Sequence, residues 1–264
     1  MKDIHNHILY SVDDGCIDLE ESILLIKNAI KNGYTDLVLT PHYRESQKYM
    51  ASNIEKIKLF NLLKTELKNQ DININLYLGN EITLDSDLFY YFETDQILTL
   101  NSSRYIMLEL PFLKKYKNIK DIFIKLKKMG LVPIIVHPER CEAYRTLFTF
   151  KRWTKRGVLF QGNMDSLYGK YGLKAKKKLE KMLKYHLISF IGSDIHHNNQ
   201  SSFDNIHDIL KKLEELTDSK EMAFELVDGN ILKVIQNKKI KPYKIYRKEL
   251  VKIKKYIVKN VLKK

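Results

Sequence analysis

The chain has 264 residues, 44% hydrophobic and 30% charged, enough to bury the core of one barrel-sized α/β domain. Two cysteines, Cys16 and Cys141, exclude a disulfide framework, and no apolar stretch approaches the roughly 20 residues that span a bilayer. The formal charge of +14 is uneven: residues 1–50 hold five Lys/Arg against eight Asp/Glu, and residues 241–264 hold ten against one.

Short apolar runs rich in β-branched residues predict seven strands, at 2–7, 37–41, 74–81, 104–109, 131–136, 157–162 and 188–194. Apolar residues at helical spacing predict intervening helices over 19–32, 52–69, 119–129 and 173–185. On the first helix Leu19, Ile23, Ile26 and Ile30 form the expected apolar face, and Gly33 and Gly130 stand where helix-ending glycines belong. Repeated strand-then-helix units favour a distorted, closed or nearly closed (β/α)7 barrel. An open doubly wound sheet has no G-x-G-x-x-G turn to support it. Residues 241–264 open on Lys241-Pro242 and set Leu250, Ile253, Ile257 and Val261 among basic residues. They are expected to form a basic amphipathic helical extension to a catalytic unit spanning 1–240. The opening Met-Lys-Asp-Ile-His-Asn-His has no apolar leader, so a cytoplasmic location is expected, with peripheral attachment to the inner membrane face as an option for the tail.

Five of the eight histidines, His5, His7, His42, His137 and His196, end apolar runs. His5 and His7 share one face of a strand, and Asp3 shares it with them. Asp14 follows in a Val-Asp-Asp-Gly turn, Glu81 and Glu109 end the third and fourth strands, and Asp194 precedes His196 at the seventh. Rigid strands aim their last side chains into a shared mouth, and so many buried charges require a cation. These nine residues exceed the four to six donors, roughly, that one divalent ion takes, so two or three ions are expected. Paired ions share a hydroxide and grip both oxygens of a phosphoryl transfer, which makes phosphoester hydrolysis the natural chemistry. Arg140, after His137-Pro138-Glu139, is placed to hold phosphate oxygens with its two-pronged guanidinium.

The segments Asp3-Ile-His-Asn-His-Ile, Val12-Asp-Asp-Gly, Glu20-Glu-Ser, Thr40-Pro-His, Gly79-Asn-Glu, Leu108-Glu-Leu-Pro, His137-Pro-Glu-Arg and Gly192-Ser-Asp-Ile-His occur in this order. Together they resemble the polymerase and histidinol phosphatase (PHP) superfamily, and within it the bacterial capsule-type protein-tyrosine phosphatases. The resemblance implies a distorted PHP-type barrel and a trinuclear site, usually manganese-activated, with iron, zinc or magnesium as alternatives. It implies His5, His7, Glu81 and Asp194 around the first metals, Glu109 and His137 completing the second, Asp14, His42 and His196 on the third, and Arg140 on phosphate. It further implies a phosphotyrosine protein as substrate, the tyrosine-rich tail of a membrane-associated bacterial tyrosine kinase that governs capsule or exopolysaccharide export. Tyr43, followed by Arg44, stands where such proteins often have a second histidine.

A cysteine-based phosphatase would need C-x5-R, but Ser22 and Leu147 occupy those positions after Cys16 and Cys141, so a metal-bound hydroxide is the better nucleophile. A phenol with a pKa near ~10 departs more readily than an alkyl alcohol, which suits phosphotyrosine. The rival readings are a small-molecule phosphatase of the histidinol-phosphate kind and a nucleic-acid-processing phosphoesterase. The second is disfavoured because the basic excess is nearly all lysine, which lacks the planar fork that reads base edges. Specific nucleic acid is therefore not expected as a partner. Contact of the tail with anionic lipid or a partner helix, and an oligomer, fit the basic segment.

Overall fold

The structure is a computed structural model, describing residues 1–84, 87–197, 203, 206–241 and 243. Among the described residues nine strands, all parallel, are interspersed with helices. They are β1 (Lys2–Asp3), β2 (Asp36–Leu39), β3 (His42–Tyr43), β4 (Asn75–Leu78), β5 (Glu81–Thr83), β6 (Tyr105–Glu109), β7 (Val132–Val136), β8 (Leu159–Asn163) and β9 (Phe190–Gly192). The sheets run β1-β2-β4 and β3-β5-β6-β7-β8-β9.

Each of the seven expected strands is represented, but the first is cut to Lys2–Asp3 with an isolated bridge at Asn6, so His5 and His7 lie beyond it, and two others are broken. The run 36–43 is interrupted at Thr40-Pro41, because proline has no N–H for the ladder, and the run 75–83 at Gly79-Asn80. Asn80 stitches both breaks: its Nδ2 donates to Pro41 O at 2.8 Å, and its Oδ1 accepts from Leu98 N at 2.9 Å and from the buried Lys56 Nζ at 2.7 Å. The two ends of the strand series meet through one bridge between Asn6 and Ile195, supported by Asp194 N to His5 O and His7 N to Ile195 O, both 2.8 Å. The structure is thus a distorted α/β barrel whose ladder is not continuous around the ring.

The helices are α1 (Leu19–Lys31), α2 (Asn53–Asn69), α3 (Leu88–Glu93), α4 (Ile119–Lys128), α5 (Leu147–Thr154), α6 (Met164–Tyr168), α7 (Gly172–Lys184), α8 (Ile206–Thr217), α9 (Lys220–Phe224) and α10 (Asn230–Ile235). Helix α1 starts on Asp18, which caps Glu21 N, and ends where Gly33, at φ 89°, lets Tyr34 N reach back to Ala29 O. Its buried face is Ser22, Ile23, Leu25, Ile26 and Ala29; Ile23 and Ile26 of the expected face are in it and Leu19 packs against its edge, whereas Ile30 is exposed. The helix is rotated because Ser22 Oγ donates to Ile8 O at 2.6 Å, drawing a polar residue inward. The expected tail helix, beginning at Lys241, lies almost entirely outside the described residues. Among the described residues no helix is long and apolar enough to cross a membrane.

Inside the ring, alternate strand residues form one apolar plug of Ile4, Val38, Tyr105, Met107, Ile134, Leu159 and Phe190, closed below by Ile231 and Val234 of α10. Each fully buried aliphatic or aromatic side chain contributes about 1.5–3 kcal/mol. Continuing the same inward parity upward along the chain, Val38 leads to His42, Met107 to Glu109, Leu159 to Gln161 and Asn163, and Phe190 to Asp194. The period-2 pattern that fills the barrel therefore also sets polar groups above the plug, at the C-terminal ends of the strands.

Candidate metal centre

Glu81 is the hub. Its Oε2 lies 3.2 Å from the Nε2 atoms of both His5 and His7 and 3.1 Å from His42 Nδ1, while Oε1 lies 2.9 Å from His137 Nε2. Asp194 Oδ1 sits 3.3 Å from His5 Nε2 and 3.5 Å from His7 Nε2. Asp14 Oδ1 lies 3.6 Å from His42 Nε2 and 3.8 Å from His196 Nε2. Three overlapping groups result: His5, His7, Glu81 and Asp194; His7, Asp14, His42 and His196; and His42, Glu81 and Glu109. His137 joins at the edge, 3.7 Å from Glu109 Oε1. All nine residues singled out from the sequence are thus brought into one cluster. Asp14 and His196 are its most exposed members and mark the mouth.

The ring tautomers follow from acceptors. His5 Nδ1 donates to Gln161 Oε1 at 3.0 Å, His7 Nδ1 to Asp13 Oδ2 at 2.7 Å and His196 Nδ1 to the Asp194 carbonyl at 2.9 Å. The Gln161 amide is oriented because its Nε2 donates to Gly162 O at 2.8 Å. With their Nδ1–H groups so used, the three Nε2 lone pairs face carboxylate oxygens and, for His5 and His7, each other at 3.3 Å. Asp14 Oδ1, His42 Nδ1 and His137 Nδ1 are buried without a hydrogen-bond partner. Only positive charge reconciles these contacts, so the donor set fits divalent ions.

The electrostatics agree. Burial disfavours the His5 imidazolium, but Glu81 and Asp194 outweigh it and push the ring up to about 9. Burial raises the Glu81 carboxyl, yet His42, His5 and His137 hold it well below the usual carboxylate range. Burial, reinforced by His7 and Arg44, pushes His42 down to about 3, so this ring is neutral and able to donate a lone pair. Two strand-end residues, His137 and Asp194, adopt left-handed backbone with φ 29° and 56°, a strain of about 1–3 kcal/mol each that turns their side chains inward.

Several residues of the site escape sequence reasoning. Asp13 bonds both His7 Nδ1 and, at 2.7 Å, the His42 backbone N–H. Strand β8 supplies two neutral partners, Gln161 to His5 and Asn163, whose Nδ2 donates to Asp194 Oδ2 at 2.6 Å. The Val-Asp-Asp-Gly and Phe-Gln-Gly-Asn segments show these residues, but nothing in their spacing tells an orienting residue from a turn residue. Asp3 does not join the cluster. It accepts from Ser193 N at 2.9 Å, Ser193 Oγ at 2.7 Å and Asn6 Nδ2 at 3.0 Å, so its strand face serves the barrel seam instead. Tyr43 points into the core, with its hydroxyl on Gln96 Oε1 at 2.7 Å, whereas Arg44 reaches back to Glu109 Oε2 and to Thr83 Oγ1 at 2.8 Å. Arg140 Nη1 donates to Asp194 Oδ2 at 3.0 Å, and its guanidinium lies between the Tyr171 ring, at 4.1 Å, and the Phe112 ring, at 4.8 Å. Both cysteines are buried, and burial pushes each thiol up to about 12, which removes them as nucleophiles.

A parallel α/β barrel with a histidine and carboxylate cluster at its strand ends is a metal-binding protein of the barrel-like hydrolase class. Residues 1–236 match the family model for capsular polysaccharide synthesis proteins CpsB/CapC, and the chain belongs to that family. It is 37% identical over 198 residues to CapC of Staphylococcus aureus, assigned as a tyrosine-protein phosphatase, covering 74% of this chain and 77% of that one. It is 29% identical over 204 residues to the tyrosine-protein phosphatase YwqE of Bacillus subtilis, covering 77% and 80%. A crystal structure from the pair YwqE of Bacillus subtilis and CpsB of Streptococcus pneumoniae, described as unique metal-dependent tyrosine phosphatases, superimposes with a TM-score of 0.84 at 28% identity. It covers 94% of this chain and 100% of that one. An amidohydrolase from Mycoplasma synoviae, 14% identical with a TM-score of 0.55 over 98% of this chain, shares the fold.

Proposed function

We propose that this chain is a metal-dependent protein-tyrosine phosphatase acting on a phosphotyrosine protein in capsule or exopolysaccharide synthesis. The observation that carries the reading is the convergence of eight histidine and carboxylate residues around Glu81, with Arg140 at their edge. Family membership and relatives named for this activity support it. Two or three divalent ions, manganese foremost, are the cofactor. His5, His7, Glu81 and Asp194 would hold the innermost ion. Glu109 and His137 would share Glu81 for the second, and Asp14, His42 and His196 would hold the outermost.

Bound ions of this kind supply a water acidic enough to attack phosphorus at neutral pH and charge to balance the phosphoryl oxygens. The protein's own groups do the rest. Gln161 and Asp13 fix protons on the Nδ1 atoms of His5 and His7, which holds the opposite nitrogens toward the ions. Arg140 keeps one N–H on Asp194 and turns its remaining donors to the phosphate, while Phe112 and Tyr171 hold its plane. A tyrosyl oxygen leaves with little help from an acid, so the site needs no dedicated proton donor for it. We take residues 1–240 as the catalytic unit and a membrane-associated tyrosine kinase as the substrate protein, with the basic segment 241–264 as its lipid or partner contact.

The test is phosphate release from matched phosphotyrosyl and phosphoseryl peptides with manganese and with chelator, alongside His42→Ala. Manganese-dependent release from phosphotyrosine alone, lost in the variant, is expected. Equal turnover of phosphoserine, or release indifferent to chelator, overturns the reading.

A further inference from the structure

Beside Arg140 opens a cleft of about 1160 Å³ between the loop Glu139–Leu147 and helix α7. Lys174, Lys177, Lys181 and Lys184 line it from one face of that helix and Arg145 from the loop, so the cations outnumber its carboxylates, Glu142, Glu180 and the buried Glu139. All four lysines are exposed, and none has an ion-pair partner among the described residues. Lys178, the fifth lysine of the cleft wall, is different. Its ammonium is half-buried and holds Pro138 O at 2.7 Å and Cys141 O at 2.8 Å, a structural role that fixes the His137-Pro-Glu-Arg loop.

Like charges three and four residues apart destabilise a helix, by roughly 0.2–0.5 kcal/mol per pair. The 174/177, 177/181 and 181/184 pairs all repel, and only Glu180 interrupts the row. The helix begins at Gly172, immediately after the Tyr171 ring that stacks on Arg140, so the row starts at the candidate phosphate contact and runs away from it. From Lys174 to Lys184 the helix rises about 15 Å. An extended polypeptide covers that length in about four to five residues.

We infer that this cleft binds acidic residues flanking the phosphotyrosine, on one side of it, within about five positions. The inference rests on the phosphatase reading of the neighbouring site and deepens it by assigning a substrate preference to α7. Charge complementarity selects the occupant: a lysine row of one sign, beside an arginine that meets the phosphate, attracts a chain that is anionic on both counts.

The test uses the full, manganese-loaded chain with three phosphotyrosyl peptides flanked by Glu, Gln or Lys, and para-nitrophenyl phosphate as a probe too small to reach α7. Wild type is compared with K174Q/K177Q/K181Q, and peptide binding is followed in parallel by fluorescence anisotropy. The Glu-flanked peptide is expected to exceed the Gln-flanked one about tenfold in kcat/KM at low salt, falling toward equality at high salt. The variant should lose the preference and keep its activity on the small probe. Equal use of the peptides by wild type, or a Glu preference retained in the variant, overturns the inference while leaving the phosphatase reading intact. If no phosphotyrosyl substrate is hydrolysed, that reading fails on its own, and the anisotropy comparison still decides whether α7 selects acidic chains.

Discussion

Replacing Asp13 by Asn tests how the imidazoles are held. One carboxylate oxygen of this buried side chain accepts from His7 Nδ1 and from the His42 backbone N–H, both at 2.7 Å, and the other accepts from Gly15 N at 3.0 Å. All three contacts are donors, so an amide group must point its NH2 at one of them, whichever way it is turned. The negative charge that sustains the His7 tautomer is lost as well. Removing the partner that orients a ligating histidine costs about 10- to 100-fold in metal affinity, or roughly 1.4–2.7 kcal/mol. The cost should sit near the upper end, because Asp13 serves two residues of the cluster through one oxygen. Manganese titrated calorimetrically into chelator-stripped protein measures the loss, and the melting temperature in chelator separates it from any effect on folding. A variant that folds as wild type does and binds manganese with unchanged affinity refutes the role assigned to Asp13.

Gln161→Leu keeps the volume but removes the acceptor for His5 Nδ1, so manganese affinity should again fall about 10- to 100-fold. Nitrogen NMR should show His5 losing its single Nδ1–H tautomer, and an unaltered imidazole spectrum would count against the assignment. Gly15→Ala should disable metal binding through sterics alone, since an added Cβ would collide with the His7 carbonyl oxygen and lie 2.6 Å from the His7 Cβ. Wild-type manganese affinity in that variant would mean that the turn is not held against His7. Lys56 is buried, and burial lowers its ammonium to about 7 from 10.5. Between those values the unfolded chain binds a proton that the folded chain does not, so this group makes stability rise with pH, by about 2 kcal/mol from pH 7 to 9. Lys56→Met should remove that slope in urea unfolding, and identical pH dependence of the two proteins would contradict it.

The parts of the molecule legible in the sequence are those written with a strong period. Seven apolar runs between amphipathic stretches named the strands, and polar residues ending those runs named the cluster, because a strand that fills a barrel must also aim its last side chain. Less legible were groups whose role comes from a partner far along the chain. Gln161 and Asn163 are neutral residues whose work is set by His5 and Asp194. Asp13 and Asp14 are adjacent and chemically alike, yet one orients rings from behind while the other faces the mouth. The short helices α3, α5 and α6, of 6, 8 and 5 residues, carry too few turns for periodicity to show. On α1 the apolar period marks Ile23 and Ile26 but not Ser22, which the Ile8 carbonyl draws inward while Ile30 stays exposed.

The single bridge that joins the ends of the barrel has a consequence in time. His5, His7, His42 and Glu81 leave the ribosome early, whereas Asp194 and His196 come after more than a hundred further residues. The bridge between Asn6 and Ile195, and the contacts of Asp194 with His5, can form only when that late segment arrives. A nascent chain therefore carries half a chelator for most of its synthesis, and the tight inner position is completed by the same event that closes the barrel. Ions held as proposed would tie the first strand to the last, so loading should slow the opening of this one seam more than it slows exchange anywhere else in the protein.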